Sequence, residues 1–230
     1  MMNLPLFSEI PHQDREKIIS TAFKKTVPRG QILFKQDGRA RRVLLLVSGC
    51  AKVVHLNSNG DEAIVRLSIP GDIHGVSRDC PSEDSCASVE AHQLSRALVW
   101  EALVFESLLQ RFSALSCNVS QILDQQLQNM EKRFSELATE HVPSRLLKEI
   151  IRLVDRVGRR ANGHFEINFS CEELAQMTGT TLFTVSRLLS AWERQGVLMT
   201  RKRVVAVRDP QVLINLAGRQ SESSEAGWSL

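Results

Sequence analysis

Residues 170–195 read SCEELAQMTGTTLFTVSRLLSAWERQ, which predicts two short helices joined by a tight turn. Ser170 and Glu173 form a capping box, because the hydroxyl and the carboxylate can each satisfy a free amide at a helix start. Gly179 suits the left-handed turn between the helices. The second helix shows apolar residues at helical spacing: Leu182, Val185, Leu188, Leu189 and Trp192. This pattern indicates a helix-turn-helix, whose second helix can lie in a DNA major groove; an ordinary helical hairpin is the alternative.

Positive charge is concentrated in the same part of the chain. The 230 residues carry a formal net charge of +3. Residues 1–138 hold as many basic as acidic side chains, whereas residues 139–219 hold thirteen basic and eight acidic ones. This local excess of cations favours contact with a phosphate backbone.

The first half of the chain consists of short apolar runs separated by turn signals. The runs are residues 31–34, 43–47, 51–55, 63–69, 87–91 and 95–100. Turn-forming sequences such as Asn59-Gly60 and Pro70-Gly71-Asp72 separate them, which predicts an antiparallel sandwich or roll. A short amphipathic helix is expected before the first run, within residues 3–24. The polar segment 79–85 predicts a loop.

Beyond Glu101 the apolar spacing becomes helical. A heptad seam with intervals of 4, 3, 4 and 3 consists of Leu123, Leu127, Met130, Phe134 and Leu137. Such a seam predicts a long helix that packs on a second copy of the chain; packing on the chain's own sheet is the alternative. Residues 139–143 then interrupt the helix and are expected to act as a hinge, and a further helix is predicted over 142–157.

The segments on either side of the helix-turn-helix complete a winged domain. A basic loop over 158–163 and a short strand over 164–168 are expected before it. After it, residues 197–200 and 204–207 predict a hairpin with a basic tip, a wing, and residues 210–217 a last helix. The predicted fold is therefore α+β. Its parts are a β-roll (1–115), a dimerisation helix (116–138), a winged helix-turn-helix domain (139–219) and a disordered tail (220–230).

This order of elements resembles the cyclic-AMP receptor protein / fumarate-nitrate reduction regulator (CRP/FNR) family of bacterial transcription factors. The residues that carry the resemblance are Pro28-x-Gly30, Gln36-Asp37-Gly38, Val47-Ser48-Gly49, Gly60, Pro70-Gly71-Asp72, Glu173-Leu174-Ala175, Gly179, Thr184-Val185-Ser186-Arg187 and Gly196-Val197-Leu198. The resemblance covers residues 4–218. It implies a cyclic-nucleotide-binding-like roll (a double-stranded β-helix), a homodimer, a palindromic double-stranded DNA operator, contact with RNA polymerase and a cytoplasmic location.

Several DNA-contacting residues follow from the resemblance by position. Ser170, Thr181 and Thr184 match residues that anchor phosphates, and Arg201 and Arg203 match a wing that lies against the backbone. Hydroxyls, helix N-termini and cations are chemically suited to phosphate oxygens.

The positions that read bases in the family agree with the family pattern at two residues and differ from it at two others. Ser186-Arg187 resembles the Ser-Arg pair of the oxygen-regulator branch, in which the guanidinium matches guanine O6 and N7. Where most relatives carry an Arg or Pro followed by a Glu, this chain has Leu182-Phe183. Neither side chain accepts a hydrogen bond, but both can touch a thymine methyl group. Packing of Phe183 on the first helix is the alternative.

The expected effector is not cyclic AMP. Val76 stands where cyclic-AMP-binding relatives have Glu, and Ser85-Cys86 stands where they have Arg-Ser, so a buried phosphate would lack its counter-charge. The oxygen regulators that this chain resembles hold an iron–sulfur cluster through cysteines near the N-terminus. No cysteine precedes Cys50 here, so such a cluster is unexpected. The resemblance places the effector pocket at Gly71, Asp72, His74, Cys80, Cys86 and His92.

Several possibilities stay open for the effector. Thiolate and imidazole groups can hold haem iron or another metal, with His74 as the candidate ligand. Cys80 or Cys86 can act as a redox thiol, and Cys171, at a helix N-terminus expected to lower its pKa, is a separate candidate. The other possibilities are a different small molecule, a cyclic nucleotide bound in a diverged pocket, and constitutive DNA binding without an effector.

The sequence favours neither an enzyme nor a membrane protein. No catalytic motif occurs in a plausible context, so no catalytic residue is predicted. The five cysteines are widely spread without a C-x-x-C pair, which argues against a disulfide framework or a zinc ribbon. No run of 18 apolar residues and no signal pattern is found, so we expect a soluble, cytoplasmic protein.

Overall fold

A computed structural model describes residues 4–35, 42–56, 62–76, 87–161 and 163–225, with side chains as far as residue 218. The chain divides into two compact units, Met1–Met130 and Glu131–Leu230, and the division falls within the long helix. The predicted Asn59-Gly60 turn and the loop over 79–85 lie outside the described residues.

The first unit is an antiparallel roll with helices before and after it. A 3-10 turn (Pro5–Phe7) and helix α1 (His12–Ser20) come first, and helix α2 (Ala102–Arg111) and the start of α3 (Ser113–Thr139) come last. The described strands are β1 (Phe23–Val27), β2 (Ile32–Lys35), β3 (Arg42–Ser48), β4 (Ala51–Leu56), β5 (Glu62–Ser68), β6 (Ile73–His74), β7 (Ser88–Ala91) and β8 (Ser95–Glu101). They form two sheets, β1-β8-β3-β6 and β2-β7-β4-β5, which confirms the predicted antiparallel architecture.

Strand β3 forms the centre of this unit because it is buried on both faces. Val43 and Leu45 pack with the helices and with Trp100, whereas Leu44 and Leu46 pack between the two sheets. Side chains alternate between the faces of a strand, so a continuous apolar run supplies two cores. Each fully buried side chain of this type contributes about 1.5–3 kcal/mol relative to an exposed one.

Two strands of the roll were not predicted. Strand β1 reads FKKTV, and all its residues except Val27 are exposed; it lies at a sheet edge, where its partner among the described strands is β8. Strand β6 has two residues and pairs with Leu44 and Leu45 of β3. Neither strand carries an apolar run, so tertiary pairing rather than local pattern defines both.

The second unit contains a small antiparallel sheet among helices. After the end of α3 it comprises α4 (Val142–Val157), β9 (Arg159–Ala161), β10 (His164–Ile167), α5 (Cys171–Thr178), α6 (Leu182–Arg194), β11 (Leu198–Arg201), β12 (Val204–Val207) and α7 (Pro210–Glu225). The strand order is β11-β12-β10-β9. Helix α4 and strand β12 have the predicted bounds.

Two features of the second unit differ from the sequence prediction. The expected loop over 158–163 contains strand β9, which pairs with β10, and the Arg160 guanidinium lies 5.9 Å from the centre of the Phe165 ring. Helix α7 continues to Glu225, so residues 220–225 of the predicted disordered tail are helical. Each residue added to an existing helix gains a hydrogen bond without a new nucleation step. The polar residues 220–225 can therefore continue the helix that the apolar residues before them begin. Residues 226–230 lie outside the described part of the chain.

Within the described ranges, no helix combines the length and the apolar character needed to span a membrane.

Candidate nucleic-acid interface

The first helix of the motif begins with the predicted capping box. Ser170 Oγ accepts a hydrogen bond from the Glu173 amide at 3.1 Å, and Glu173 Oε2 accepts one from the Ser170 amide at 2.9 Å. Helix α5 ends at Gly179, whose φ of +60° is left-handed. A side chain at φ +60° is strained, which explains the glycine at the turn. These local interactions fix the direction in which the second helix begins.

The second helix presents one face to solvent. Thr181 caps its start, because Thr181 Oγ1 accepts a hydrogen bond from the Thr184 amide at 3.2 Å. The inward residues Val185, Leu189 and Trp192 are buried. The exposed residues over 182–190 are Leu182, Phe183, Ser186, Arg187 and Ser190. Residues 183, 186, 187 and 190 follow helical spacing, so they line one face of α6.

Two side chains on this face have chemistry suited to a ligand. The Arg187 side chain is exposed, and the described residues supply no hydrogen bond or ion pair to its guanidinium. Phe183 is 82% exposed and Leu182 44%. Phe183 does not pack on α5, so the alternative considered for it from the sequence is wrong. The predicted contact residues Leu182, Phe183, Ser186 and Arg187 are therefore brought together at the start of one exposed helix.

The wing is attached to both helices of the motif. Glu193 of α6 accepts hydrogen bonds from the amide and hydroxyl of Thr200, at 2.8 and 2.7 Å. The same two bonds lower the pKa of the Glu193 carboxyl. Lys202 at the wing tip has a φ of +47°, which a tight hairpin requires. Arg201 and Lys202 are exposed there.

Arg203 is held differently from the other cations of the wing. Its guanidinium forms an ion pair with the nearly buried Glu173 carboxylate at 3.1 Å. The residue predicted to contact phosphate therefore already has an anionic partner. Ser170 is likewise engaged, because its hydroxyl donates to the same carboxylate at 3.1 Å.

Comparison with known families agrees with both units. Residues 144–216 match the Crp-like helix-turn-helix domain, and residues 24–112 match the cyclic nucleotide-binding domain. The chain belongs to the CRP/FNR family of transcription regulators. Its DNA-binding motif is the α5–α6 pair, and its roll has the cyclic-nucleotide-binding fold.

Similar CRP/FNR proteins come from several bacteria. The cyclic AMP receptor protein of Thermus thermophilus is 24% identical over 218 residues, which cover 94% of this chain and 98% of that protein. The fumarate and nitrate reduction regulatory protein of Vibrio cholerae is 24% identical over 204 residues, covering 87% and 80%. A solved structure of a CRP-family transcriptional regulator from T. thermophilus matches with a TM-score of 0.74 at 22% identity, covering 84% and 96%. This likeness supports the fold.

The heptad seam of this CRP/FNR regulator lies on α3, a single helix of 27 residues. Its exposed fractions range from 40% for Leu123 to 73% for Phe134, and Leu127, Met130 and Leu137 lie between these values. Ile122, next to the seam, is buried in the core of the roll. The five seam residues therefore keep at least 40% of their surface exposed.

The Pro70-Gly71-Asp72 turn is a structural element of the roll. Gly71 has a φ of +103°, and a Cβ there would lie 2.8 Å from Pro5 Cδ. Asp72 Oδ2 accepts a hydrogen bond from the Ile69 amide at 3.1 Å and pairs with Arg66 at 3.0 Å. Gln126 Nε2 of α3 donates to Asp72 Oδ1 at 3.4 Å. The Asp72 carboxylate is thus committed to the turn and to α3.

His74 is a buried, neutral side chain. Its Nε2 lies 2.8 Å from Ser68 Oγ. Burial, and to a smaller extent the positive charge of Arg66, lower its pKa to about 3. Because Nε2 already has a partner and the ring is enclosed, this arrangement does not fit haem ligation through that nitrogen. Across the described part of the chain, no three His, Cys, Asp or Glu side chains are grouped to hold a metal.

The remaining predicted pocket residues are divided between described and undescribed segments. His92 is buried, and its amide donates to the carbonyl of Cys50 at 2.9 Å. Cys80 and Cys86 lie outside the described residues.

The lowered pKa expected for Cys171 is wrong. Its position at the start of α5 predicted a lowered pKa, but burial raises the pKa of this thiol, and the hydrogen bond of its own backbone only partly opposes that effect. Desolvation of the thiolate therefore outweighs this backbone hydrogen bond. A raised pKa makes Cys171 less reactive than predicted.

A cluster of charged residues beside the motif was missed by sequence reasoning. Arg152 of α4 pairs with Glu149 at 2.8 Å and with Glu136 of α3 at 2.7 Å. Arg133 of α3 lies 3.4 Å from Glu149 and donates to the Met177 carbonyl of α5 at 3.2 Å. The i,i+3 pair Glu149–Arg152 was the available signal, but its other partners lie on separate helices.

The same region bridges the predicted hinge. Helix α3 ends at Thr139 and α4 begins at Val142, so the expected break is present. Glu140 accepts hydrogen bonds from Ser144 and Lys148, and Arg145 donates to the Glu140 carbonyl at 2.8 Å. Arg145 also donates to the Thr178 carbonyl of α5 at 3.2 Å. Residues on both sides of the break are therefore joined within the second unit.

Proposed function

We propose that this CRP/FNR regulator is a homodimer that binds a palindromic operator through α6 and responds to an effector other than cyclic AMP. The observation that carries the proposal is the exposed face of α6, on which Arg187 has no partner among the described residues. A planar guanidinium in the major groove can bind guanine O6 and N7 together. Arg201 and Lys202 supply cations for the flanking phosphates.

The dimer is supported by the seam on α3. Five apolar side chains at heptad spacing remain 40–73% exposed on one helix. Exposed apolar stripes of this kind are typical of an interface, and two-fold pairing would bury the same stripe on both copies. A dimer would also place two copies of α6 on half-sites one DNA turn apart.

The exclusion of cyclic AMP is supported by the surroundings of the Pro70-Gly71-Asp72 turn. Val76 packs against the apolar core of the roll, where relatives that bind the nucleotide have Glu. Asp72 is engaged by Arg66 and Gln126. In this mechanism an effector in the roll shifts the population of dimers whose α6 helices fit the operator, and RNA polymerase is then recruited or blocked according to operator position. A constitutive regulator without an effector is the alternative.

The decisive experiment selects binding sites from random double-stranded DNA with the full chain. We expect a palindromic sequence with a guanine in each half-site. Arg187→Lys keeps the charge but loses the bidentate contact, so it should lower specific affinity about 5- to 150-fold per guanine contact and leave non-specific binding in place. Enrichment of no sequence would overturn DNA recognition.

Two further measurements test the dimer and its effector. Sedimentation of the wild type should give a dimer, and Phe134→Glu should shift it to the monomer; Gln128→Glu, off the seam, is the matched control. Operator affinity measured alone, with cyclic AMP and with cell extract should respond only to the extract. Equal affinity in all three would favour the constitutive alternative, and a response to cyclic AMP would contradict the proposal.

A further inference from the structure

Phe183 is the most exposed large apolar side chain of those that the structure describes. It is the second residue of α6 and is 82% exposed, and its neighbour Leu182 is 44% exposed. Burial of such a ring makes a favourable contribution because it removes apolar surface from water. The local fold leaves this contribution unused, because no aromatic ring contact or core cluster in the described part of the chain includes Phe183.

The surroundings of the ring indicate what kind of partner covers it. Thr181, Ser186 and Arg187 are exposed polar side chains near it on α6. Residues 139–219 carry an excess of five positive charges. An apolar ring within such a basic, hydroxyl-rich surface matches a partner that is anionic overall and carries isolated apolar groups. Double-stranded DNA fits this description, since its phosphates are anionic and its major groove carries thymine methyl groups.

The spacing on the helix defines which base pair the ring reaches. Phe183 and Arg187 are four residues apart, so they lie side by side on one face. When the Arg187 guanidinium binds a guanine edge, the ring one turn earlier faces a neighbouring base pair in the same groove. The ring neither donates nor accepts a hydrogen bond. The C5 methyl of thymine is the apolar group that a major-groove edge presents.

We propose that Phe183 is a specificity-determining residue that recognises a thymine methyl group next to the guanine read by Arg187. The inference rests on the proposed DNA-binding function and adds the identity of a second base. The same chemistry accepts 5-methylcytosine at that position, because it carries its methyl at the same place. Loss of one buried methyl contact corresponds to about 0.8 kcal/mol, or about fourfold in affinity.

The test removes the methyl group and nothing else. In the selected operator, each thymine is replaced singly by deoxyuridine, which keeps every hydrogen-bonding group. We expect one position per half-site at which wild-type affinity falls about fourfold, and about fifteenfold when both half-sites are changed. Phe183→Ala should bind the thymine and uracil operators equally, and a 5-methylcytosine–guanine pair at that position should bind the wild type more tightly than the unmethylated pair.

Controls separate this inference from the function on which it rests. Phe183→Leu keeps an apolar side chain and should retain part of the methyl preference, and Ser190→Ala, on the same face but farther along α6, should keep all of it. Because the ring is exposed, Phe183→Ala should keep wild-type circular dichroism and non-specific DNA affinity. Suppose that the wild type binds its operator specifically while no deoxyuridine substitution weakens its binding more than that of Phe183→Ala. That result would overturn the methyl contact and leave the proposed function standing. Enrichment of no operator would overturn the proposed function instead.

Discussion

The long helix α3 is fastened differently in the two units. In the first unit, Arg66 donates to Gln126 Oε1 at 3.1 Å and pairs with Asp72, so α3 contributes one neutral amide. In the second unit, α3 contributes two charges, Arg133 and Glu136, to the cluster with Glu149 and Arg152. We call these contacts the roll tether (Arg66, Asp72, Gln126) and the hinge cluster (Arg133, Glu136, Glu149, Arg152).

The difference indicates how strictly each contact defines a geometry. A neutral amide can exchange its partners for water at little cost, whereas a buried charge without its partner is strongly unfavourable. Glu149 is almost fully buried, so the hinge cluster has few acceptable arrangements. The last two turns of α3 are therefore expected to stay with α4 and α5, and adjustment is easier at the roll tether.

The largest predicted effect comes from breaking the hinge cluster. Glu149→Ala leaves Arg133 and Arg152 without their shared carboxylate, and we expect the free energy of opening of the second unit to fall by about 3–5 kcal/mol. Native-state hydrogen exchange of peptides from α4 and α5 measures it. The double variant Glu149→Leu with Arg152→Leu keeps Arg133 and Glu136 as an opposite pair, so it should be less damaging than the single change. If Glu149→Ala lowered the free energy of opening by less than about 1 kcal/mol, the claim that the hinge cluster is desolvated would be wrong.

A smaller effect is expected at Gly179, in the turn that ends α5 close to the Met177 carbonyl, to which Arg133 of the hinge cluster donates. Gly179→Ala places a side chain at φ +60°, which costs about 1–2 kcal/mol. The new Cβ would lie 3.3 Å from Leu137 Cδ2, an exposed side chain that can move, so backbone strain dominates. The same exchange experiment measures the change. Gly179→Asn should be milder because asparagine tolerates this conformation, and equal losses would show that the cost is steric.

The roll tether should be the weaker of the two contacts. Gln126→Leu removes its hydrogen bonds with Arg66 and Asp72, but these two remain paired with each other. We expect the first unit to lose about 0.5–1.5 kcal/mol, measured by hydrogen exchange of peptides covering 62–76. Gln125→Leu changes an exposed neighbour on the same helix and should have almost no effect. A loss of stability as large as that of Glu149→Ala would contradict the distinction between the roll tether and the hinge cluster.

The smallest effect should appear as a pH dependence at Glu140. Burial alone would raise the pKa of this carboxyl, but hydrogen bonds from Lys148 and Ser144 outweigh it and hold the pKa below its ordinary value of 4.5. A lowered folded-state pKa means that the carboxylate stabilises the fold above about pH 4.5 and loses this contribution as the pH falls through the folded value. The advantage of the wild type over Glu140→Gln in urea unfolding should therefore shrink below pH 4.5. A constant difference from pH 7 to pH 3 would contradict this assignment.

Local signals in the sequence were sufficient for the DNA-binding motif. The capping box, the left-handed glycine and the bounds of α4 depend on interactions within a few residues, and all three were predicted correctly. The two exposed residues Leu182 and Phe183 were identified as a departure from the family pattern, and the exposure of Phe183 argues against its packing on α5, whereas its contact with DNA stays a prediction.

The residues that the sequence did not reveal depend on contacts between distant segments. Strand β1 is mostly exposed and is defined by pairing with β8, about seventy residues later. The hinge cluster joins charges from α3 and α4 that have ordinary sequence surroundings. Desolvation at Cys171 likewise depends on packing, which explains why the expected direction of its pKa was wrong.

The ion pair between Arg203 and Glu173 has a consequence for counterion release. Each phosphate neutralised on binding contributes about −0.9 to the slope of log K against log salt concentration. As long as Arg203 stays on Glu173, the wing offers two cations per subunit, Arg201 and Lys202, rather than three. The slope for a dimer is then shallower by about 1.8 than the number of basic residues in the wing implies. We therefore expect DNA binding by the proposed dimer to be less sensitive to ionic strength than binding through all three wing cations would be.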